Sequence, residues 1–343
     1  MSGGVDSSVA ALLLKERGYD CTGITMKLFS NADNGLELED ARSLAGRLGI
    51  PHFVFDVSRE FEERVIDKFI AEYLAGRTPN PCIDCNRCVK FGHLLDYVLA
   101  ADHEHMATGH YARIERDSSR RYLLRKAADG SKDQSYVLYS MTQKALARTL
   151  FPLGDLRKSE VREIAERHGF GNMSKQESQD ICFVPNGNYG DFIAARSGRS
   201  FNGGNFLDES GKVIGTHEGF VRYTIGQRRG LGMGFSKRKF VVAKDCGCNT
   251  VTLGDKDSLY VKSLYADGIN LIATAAFSGT VRVNARIRYR KDSAPAIVEM
   301  VGDDVIRVEF DAPQLSVTPG QAIVLYDGDI VFGGGTIRET RKK

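Results

Sequence analysis

No uninterrupted apolar run in the 343 residues approaches the ~20 that a membrane-spanning helix needs. Nor does the chain open on a basic segment followed by an apolar stretch, so nothing in it reads as a secretory leader, and a soluble cytoplasmic protein without a membrane partner is expected. A net charge large enough to announce a nucleic-acid protein is also lacking: 47 Lys and Arg nearly cancel 44 Asp and Glu, leaving +3. Any basic surface must therefore come from the distribution of charge. Internal repeats are absent. The seven cysteines are an odd number, which in such a chain fits reactive thiols or metal ligands better than a disulfide framework. What remains is an ordinary globular composition, 42% hydrophobic and 27% charged, in a chain long enough for two or three domains.

Helical and strand-like patterns alternate over the first hundred residues. Val9 to Arg17 predicts a helix, Cys21 to Lys27 a strand, Leu38 to Leu48 a helix and His52 to Val57 a strand; helices follow over Arg59 to Leu74 and Val89 to Ala101, and His105 to Thr108 reads as a short buried strand. Such alternation predicts a doubly wound α/β domain with a parallel sheet. Near Arg196 the composition turns to Gly, Ser and Asn and β-type segments begin. From Val281 to Tyr289 apolar residues alternate with Arg282, Asn284, Arg286 and Arg288, the pattern of a half-buried strand with a basic outer face. Asp327, Gly328 and Asp329, between Ala322–Tyr326 and Ile330–Phe332, predict a tight hairpin, so a small antiparallel barrel is expected at the C-terminal end.

Met1-Ser2-Gly3-Gly4-Val5-Asp6-Ser7-Ser8 runs straight into a helix. Two glycines let backbone approach phosphate oxygens, the amides and serine hydroxyls donate to them, and a helix N-terminus adds a favourable dipole. The Gly-Lys-Ser/Thr ending of a Walker loop is missing, and with it the lysine that serves the β- and γ-phosphates. A loop of this kind is expected to follow a central strand, for which no residues precede Met1.

The cysteines are uneven. Cys82, Cys85 and Cys88 cluster in Thr78-Pro79-Asn80-Pro81-Cys82-Ile83-Asp84-Cys85-Asn86-Arg87-Cys88, ahead of a helix; Cys182 stands in Glu177-Ser178-Gln179-Asp180-Ile181-Cys182-Phe183. A cysteine near a helix N-terminus beside Arg87 and Lys90 is expected to have a lowered pKa. A Cys-x-x-Cys-x-x-Cys run also invites zinc, but supplies three ligands where a structural site takes four. Cys21 reads as a buried strand residue, Cys246 and Cys248 as turn residues, and Cys88 as a helix bystander.

The loop resembles the SGGxDS loop of enzymes that split ATP between its α- and β-phosphates. With the cysteine segments, and with Ala107-Thr108-Gly109-His110-Tyr111, Lys132-Asp133-Gln134-Ser135-Tyr136, Leu150-Phe151-Pro152-Leu153-Gly154 and Thr224-Ile225-Gly226-Gln227-Arg228-Arg229-Gly230-Leu231-Gly232, nearly the whole chain resembles the tRNA-specific 2-thiouridylases. The resemblance implies an adenine nucleotide α-hydrolase-like domain over 1–196, a central tRNA-contacting β-rich domain over 197–260 and a barrel over 261–343. It implies ATP, with Mg²⁺, on Ser2, Gly3, Gly4, Val5, Asp6, Ser7, Ser8, Met26 and Gly109. Cys85 becomes a nucleophile and Cys182 the persulfide carrier. Asn80, Pro81 and Cys82 border the target base, and Lys132, Asp133, Gln134, Arg288 and Tyr289 touch tRNA. The implied activity is ATP-dependent 2-thiolation of a wobble uridine, with sulfur from a cysteine desulfurase or relay protein. Many members carry aspartate where Cys82 stands, and Cys82, Cys85 and Cys182 could instead ligate a [4Fe-4S] cluster. Zinc, cluster and thiol relay all stay open at this point.

Seven basic residues and no acid fall between Gly219 and Lys244, and five more between Gly268 and Lys291. Clustered cations of this kind attract a phosphate backbone. Two other classes remain: an adenylating ligase on the same loop, such as a lysidine or amide-forming synthetase, and a redox-sensing RNA-binding protein.

Overall fold

The computed structural model describes residues 1–29, 35–170, 181–184, 187–234 and 237–341. The predicted segment Glu177 to Asp180 lies outside them. Helix α1 (Val5–Glu16) starts directly after the glycine pair and buries Val9, Leu12 and Leu14 at its inner face. β1 (Gly23–Lys27) and β2 (His52–Asp56) pair in parallel, from Gly23 opposite His52 to Lys27 opposite Asp56. Next come β3 (Met106–Ala107), the antiparallel hairpin of β4 (Ala112–Arg116) and β5 (Tyr122–Lys126), and β6 (Thr149–Leu150), which pairs in parallel with β3. The expected parallel sheet is thus present as two short ladders; the β4–β5 hairpin was not anticipated.

Two long helices lie between these ladders. The first spans 58–74 and buries Phe61, Val65, Ile66, Phe69 and Tyr73. The second spans 81–100, eight residues more at its start than periodicity predicts. Its beginning was masked by loop-like residues that are in fact a cap: the Asn80 side chain accepts the Cys82 N–H at 3.1 Å and Pro81 takes the first helical position. From Cys85 to Leu94 this helix is a π-helix. Such wide turns are uncommon and favour functional sites. Glycine is needed inside it, because a Cβ on Gly92 would lie 2.9 Å from the carbonyl oxygen of Arg87.

A four-stranded unit follows, with β7 (Gly204–Leu207), β8 (Val213–His217), β9 (Phe240–Asp245) and β10 (Thr250–Gly254) in the order β8-β7-β10-β9 around Phe206, Val241 and Val251. The last unit is a closed antiparallel barrel. Its strands are β11 (Tyr260–Leu271), β12 (Thr280–Arg286), β13 (Ala294–Gly302), β14 (Val305–Leu315), β15 (Ala322–Asp327) and β16 (Ile330–Arg341), ordered β11-β14-β13-β12-β15-β16 and closed by β11 on β16. The Asp327 hairpin turns as expected through Gly328 at φ 60°. No helix among the described residues is long and apolar enough to cross a membrane.

The basic outer face expected from 281 to 289 is only partly there. Arg282 is exposed, but the strand ends at Arg286, and Arg286 and Arg288 turn into the protein. The barrel wall is continuous with the first domain, because β5 pairs with β16 at Arg125 and Ile330, and Ala322, Val324, Tyr326 and Val331 join one apolar core with Leu95, Leu124, Tyr136 and Leu138. Truncating Leu124, which is fully buried there, to alanine should cost about 2–5 kcal/mol. Because the core is shared, the first domain and the barrel should melt in one calorimetric transition; two well-separated transitions would sink the idea of a common core.

Candidate active site

One cavity of about 2050 Å³ is lined by residues from all three units. It brings together Ser2, Asp6, Ser7, Met26 and Gly109 of the expected nucleotide site, Asn80, Pro81, Cys82, Cys85 and Cys182 of the expected chemical site, and Lys132, Asp133, Gln134, Arg288 and Tyr289 of the expected RNA contacts. Gly3, Gly4, Val5 and Ser8 are not part of the lining; they build the turn behind it.

In that turn Gly3 has φ 68°, a conformation glycine adopts without strain. The Ser8 and Ser7 hydroxyls both donate to the Gly4 carbonyl, at 2.8 and 3.0 Å, and Ser2 donates through its N–H and hydroxyl to Ser7 Oγ at 3.2 Å. Ser7 thus keeps its hydroxyl at the cavity, while Ser8 is buried. Gly109 presses on the loop: a Cβ there would lie 2.8–2.9 Å from backbone atoms of Asp6 and Ser7. Asp6 is gripped by the Tyr111 hydroxyl at 2.8 Å and by Lys158 Nζ at 2.7 and 2.8 Å to its two oxygens. Lys158 was missed in the sequence, although it lies only four residues past Leu150–Gly154. Its signal there was weak, since a lysine in the first turn of a surface-patterned helix reads as solvated.

Cys82 and Cys85 occupy the first turns of the helix over 81–100, and Cys182 lies on a short turn pinned by its neighbours. Phe183 packs edge-on against Phe61 and Phe69 at 5.7 and 5.2 Å, and the Val184 N–H donates to the Ile181 carbonyl at 3.0 Å. Cys182 itself stays exposed. Thr78, just before Asn80, is held by the barrel: its N–H donates to the Pro319 carbonyl at 2.9 Å and its carbonyl accepts Gln321 Nε2 at 2.7 Å. Cys88 is half-buried and outside the lining, and Cys246 and Cys248 sit in the β9–β10 turn, as expected. Cys21 precedes β1 and is half-buried rather than a buried strand residue.

The expected lowering of the Cys85 pKa is overturned. Burial pushes the Cys85 thiol up, and the nearby Lys90 cation offsets that only in part; Cys82 and Cys182 open onto the cavity, but the protein packed around them still displaces the water that would stabilise a thiolate, so Cys82 is also raised and Cys182 is pushed up to about 11 by this desolvation together with Cys85 and Cys82. The cluster option does not fit either. Among the described residues no three His, Cys, Asp or Glu side chains stand together to hold a metal ion, so no step is routed through iron, zinc or a protein-bound magnesium.

The expected RNA contacts divide. Lys132 and Gln134 reach the cavity half-buried. Asp133 is buried, accepts the N–H groups of Ala127 and Ser135, and faces Arg286 at 3.3 Å, so it braces the site from within. Arg288 donates to the Ile225 carbonyl at 3.1 Å and to Thr318 Oγ1 at 2.5 Å, tying the central unit to the barrel, and burial lowers its pKa. Lys244, likewise counted as surface charge, donates to the Tyr223 carbonyl at 2.8 Å, and burial lowers it to about 8. Arg228, Arg229, Lys237 and Arg238 remain exposed.

A phosphate-type loop opening an α/β layer, thiols in the same cavity and two β units behind it define an α/β protein with a nucleotide-type loop and two appended β domains. Family models match in the same order: a tRNA methyl transferase HUP domain over residues 1–186, a tRNA methyl transferase PRC-barrel domain over 190–255 and an aminomethyltransferase beta-barrel domain over 261–337. The chain is 45% identical to the tRNA-specific 2-thiouridylase MnmA of Clostridioides difficile, over 99% of this chain and 97% of that one. It is 49% identical to that of Moorella thermoacetica and 46% identical to that of Lachnoclostridium phytofermentans, each over 98% of both chains. It belongs to the tRNA-specific 2-thiouridylases, a family of tRNA-modifying sulfurtransferases.

Because burial disfavours the thiolate, alkylation of Cys182 in the free protein should rise about tenfold per pH unit from pH 7 to 10. Lys90→Met, which removes the offsetting cation, should slow alkylation of Cys85 further at pH 8. Peptide mass mapping of iodoacetamide adducts reads both; a Cys182 rate that levels off below pH 9 would contradict the burial argument.

Proposed function

We propose that this chain adenylates O2 of a tRNA uridine with ATP and replaces that oxygen with sulfur carried as a persulfide on Cys182. The observation that carries the reading is the single cavity bordered by Ser2 and Ser7, by Cys82, Cys85 and Cys182, and by the barrel's Tyr289. In a stacked helix, C2 of a uridine cannot meet both a nucleotide and a thiol, so the base must be drawn out, and a cavity of this size admits one.

In this reading ATP lies over Ser2 to Ser8. Backbone N–H groups and serine hydroxyls at the start of α1 hold its phosphates, with charge stabilisation from the helix N-terminus. Magnesium, bound through the nucleotide's own phosphate oxygens, would supply charge neutralisation. Uridine O2 attacks the α-phosphorus and pyrophosphate leaves, which makes O2 a good leaving group. The terminal sulfur of the Cys182 persulfide then attacks C2 and AMP departs. Cys85 thiolate attacks the Cys182 sulfur, the bond to the transferred sulfur breaks, and 2-thiouridine and a Cys85–Cys182 disulfide remain. Alternatively Cys85 attacks first and frees hydrosulfide, which adds to C2; the balance is the same. Lys90, in the cavity one wide turn beyond Cys85, offsets the cost of the thiolate form. A sulfur donor must reload Cys182, and a thiol must reduce the disulfide. Lys132, Gln134 and Tyr289 contact the RNA near the base, Arg228, Arg229, Lys237 and Arg238 meet its backbone, and the enzyme works in the cytoplasm.

Cys85→Ser and Cys182→Ser should each abolish 2-thiouridine formation, scored by nucleoside mass spectrometry after incubation with ATP and a sulfur source, whereas Cys82→Ser should only slow it. An adenylating ligase would survive both losses. Asp6→Ala with Ser7→Ala should end tRNA-dependent pyrophosphate release while leaving tRNA affinity, measured without ATP, within about threefold.

Reversing Arg228, Arg229, Lys237 and Arg238 to glutamate should flatten the salt dependence of tRNA binding. An unchanged slope would mean that these cations are only solvated surface.

A further inference from the structure

The segment from Asp129 to Gln134 makes contacts in three directions. Asp129 Oδ2 accepts the backbone N–H of Lys158 at 3.0 Å. Asp133 faces the barrel through Arg286 at 3.3 Å. Gln134 is bonded twice to Tyr111: its N–H donates to the Tyr111 carbonyl at 2.9 Å, and its Oε1 accepts the Tyr111 N–H at 2.8 Å. The two residues gripped in this way, Tyr111 and Lys158, converge on Asp6 in the first turn of α1. Both are buried, and Lys158 does not line the cavity, so among the described contacts it reaches a ligand through Asp6.

We propose that Tyr111 and Lys158 are positioning residues that couple RNA docked over segment 129–134 to the nucleotide loop, so that bound tRNA tightens ATP binding. The inference rests on the reading of Ser2–Ser8 as the ATP loop and of Lys132 and Gln134 as RNA contacts. Its physical basis is the charge on Asp6. A free carboxylate at the mouth of a phosphate site repels the phosphates. Held by an amine and a phenol, it is compensated and its oxygens are turned toward them. RNA phosphate on Lys132 orders the segment that holds both Tyr111 and Lys158, which removes an ordering cost from the later binding of ATP. Linkage requires that ATP tighten tRNA binding by the same factor.

The test is the ratio of dissociation constants for α,β-methylene-ATP without and with a saturating, unmodified tRNA transcript, an analogue that prevents turnover. The wild-type ratio should be about fivefold or more. Tyr111→Phe, which removes one hydroxyl, and Lys158→Met should bring it close to one, and so should Gln134→Met on the RNA side. The double variant Tyr111→Phe/Gln134→Met should lose no more coupling than either single change, because the two act in series. Should a change at a buried position prevent folding, Gln134→Met at its half-exposed site still decides the matter. A wild-type ratio of one, single variants that keep the full ratio, or additive losses in the double variant would overturn the coupling. If wild-type protein thiolates tRNA with a ratio of one, only this inference fails; if it binds neither ATP nor tRNA, the functional reading fails with it.

Discussion

The wall of the C-terminal barrel is also part of the hydrophobic core of the first domain. Ala322, Val324, Tyr326 and Val331 pack with Leu95, Leu124, Tyr136 and Leu138, and burying that much apolar surface joins two units that neither strand pairing nor a linker would hold in one orientation. Everything polar at the junction depends on this. The Tyr136 hydroxyl donates to the Ala322 carbonyl at 2.8 Å, Asn270 Nδ2 donates to the carbonyls of Tyr139 and Met141, and Arg121 donates to the carbonyls of Leu271, Ile272 and Thr274. With the wall seated, the turn at Gly320 comes so close to Thr78 that a Cβ on Gly320 would lie 2.8 Å from the Thr78 nitrogen. The approach to Cys82 and Cys85 is therefore shaped by the barrel as much as by the helix that carries them.

The same seating brings several of the site's charges into pairs. Asp133 and Arg286 neutralise each other across the junction, Arg288 spans from Ile225 to Thr318, and Asp6 is held by Lys158. Groups buried in this way are costly unless paired. The raised pKa values of Cys85 and Cys182 follow from desolvation winning over Lys90, helped at Cys182 by Cys85 and Cys82. A cysteine kept protonated until its substrate arrives is protected from stray oxidation, since the thiolate is the reactive form.

Much of the site was legible because its parts are short, local and chemically marked. The glycine and serine loop, the proline-bounded cysteine run and the Ile181-Cys182-Phe183 turn each announce themselves within ten residues. Lys158 was not legible, since it matters only through a contact with Asp6, 152 residues away. Arg288 and Lys244 turn inward from basic runs that read as surface charge, for a related reason: a run of cations states how much positive charge a segment carries, but only packing decides which side chains face water. The start of the helix at Pro81 was hidden because its cap is made of residues that also make turns.

By itself the sequence determined the alternation of helices and strands in the first domain, the presence of the glycine–serine loop and of the clustered cysteines, and the family to which the chain belongs, because those depend on periodicity and on motifs read in line. Tertiary structure alone decided that the loop, the thiols and the segment Lys132 to Gln134 border one cavity. It also decided that the barrel closes against the first domain, that the thiols are raised rather than lowered, and that Asp133 and Arg288 brace the site from inside. Those outcomes depend on burial and on contacts between residues distant in the chain, and burial sets the cost of every charge it encloses.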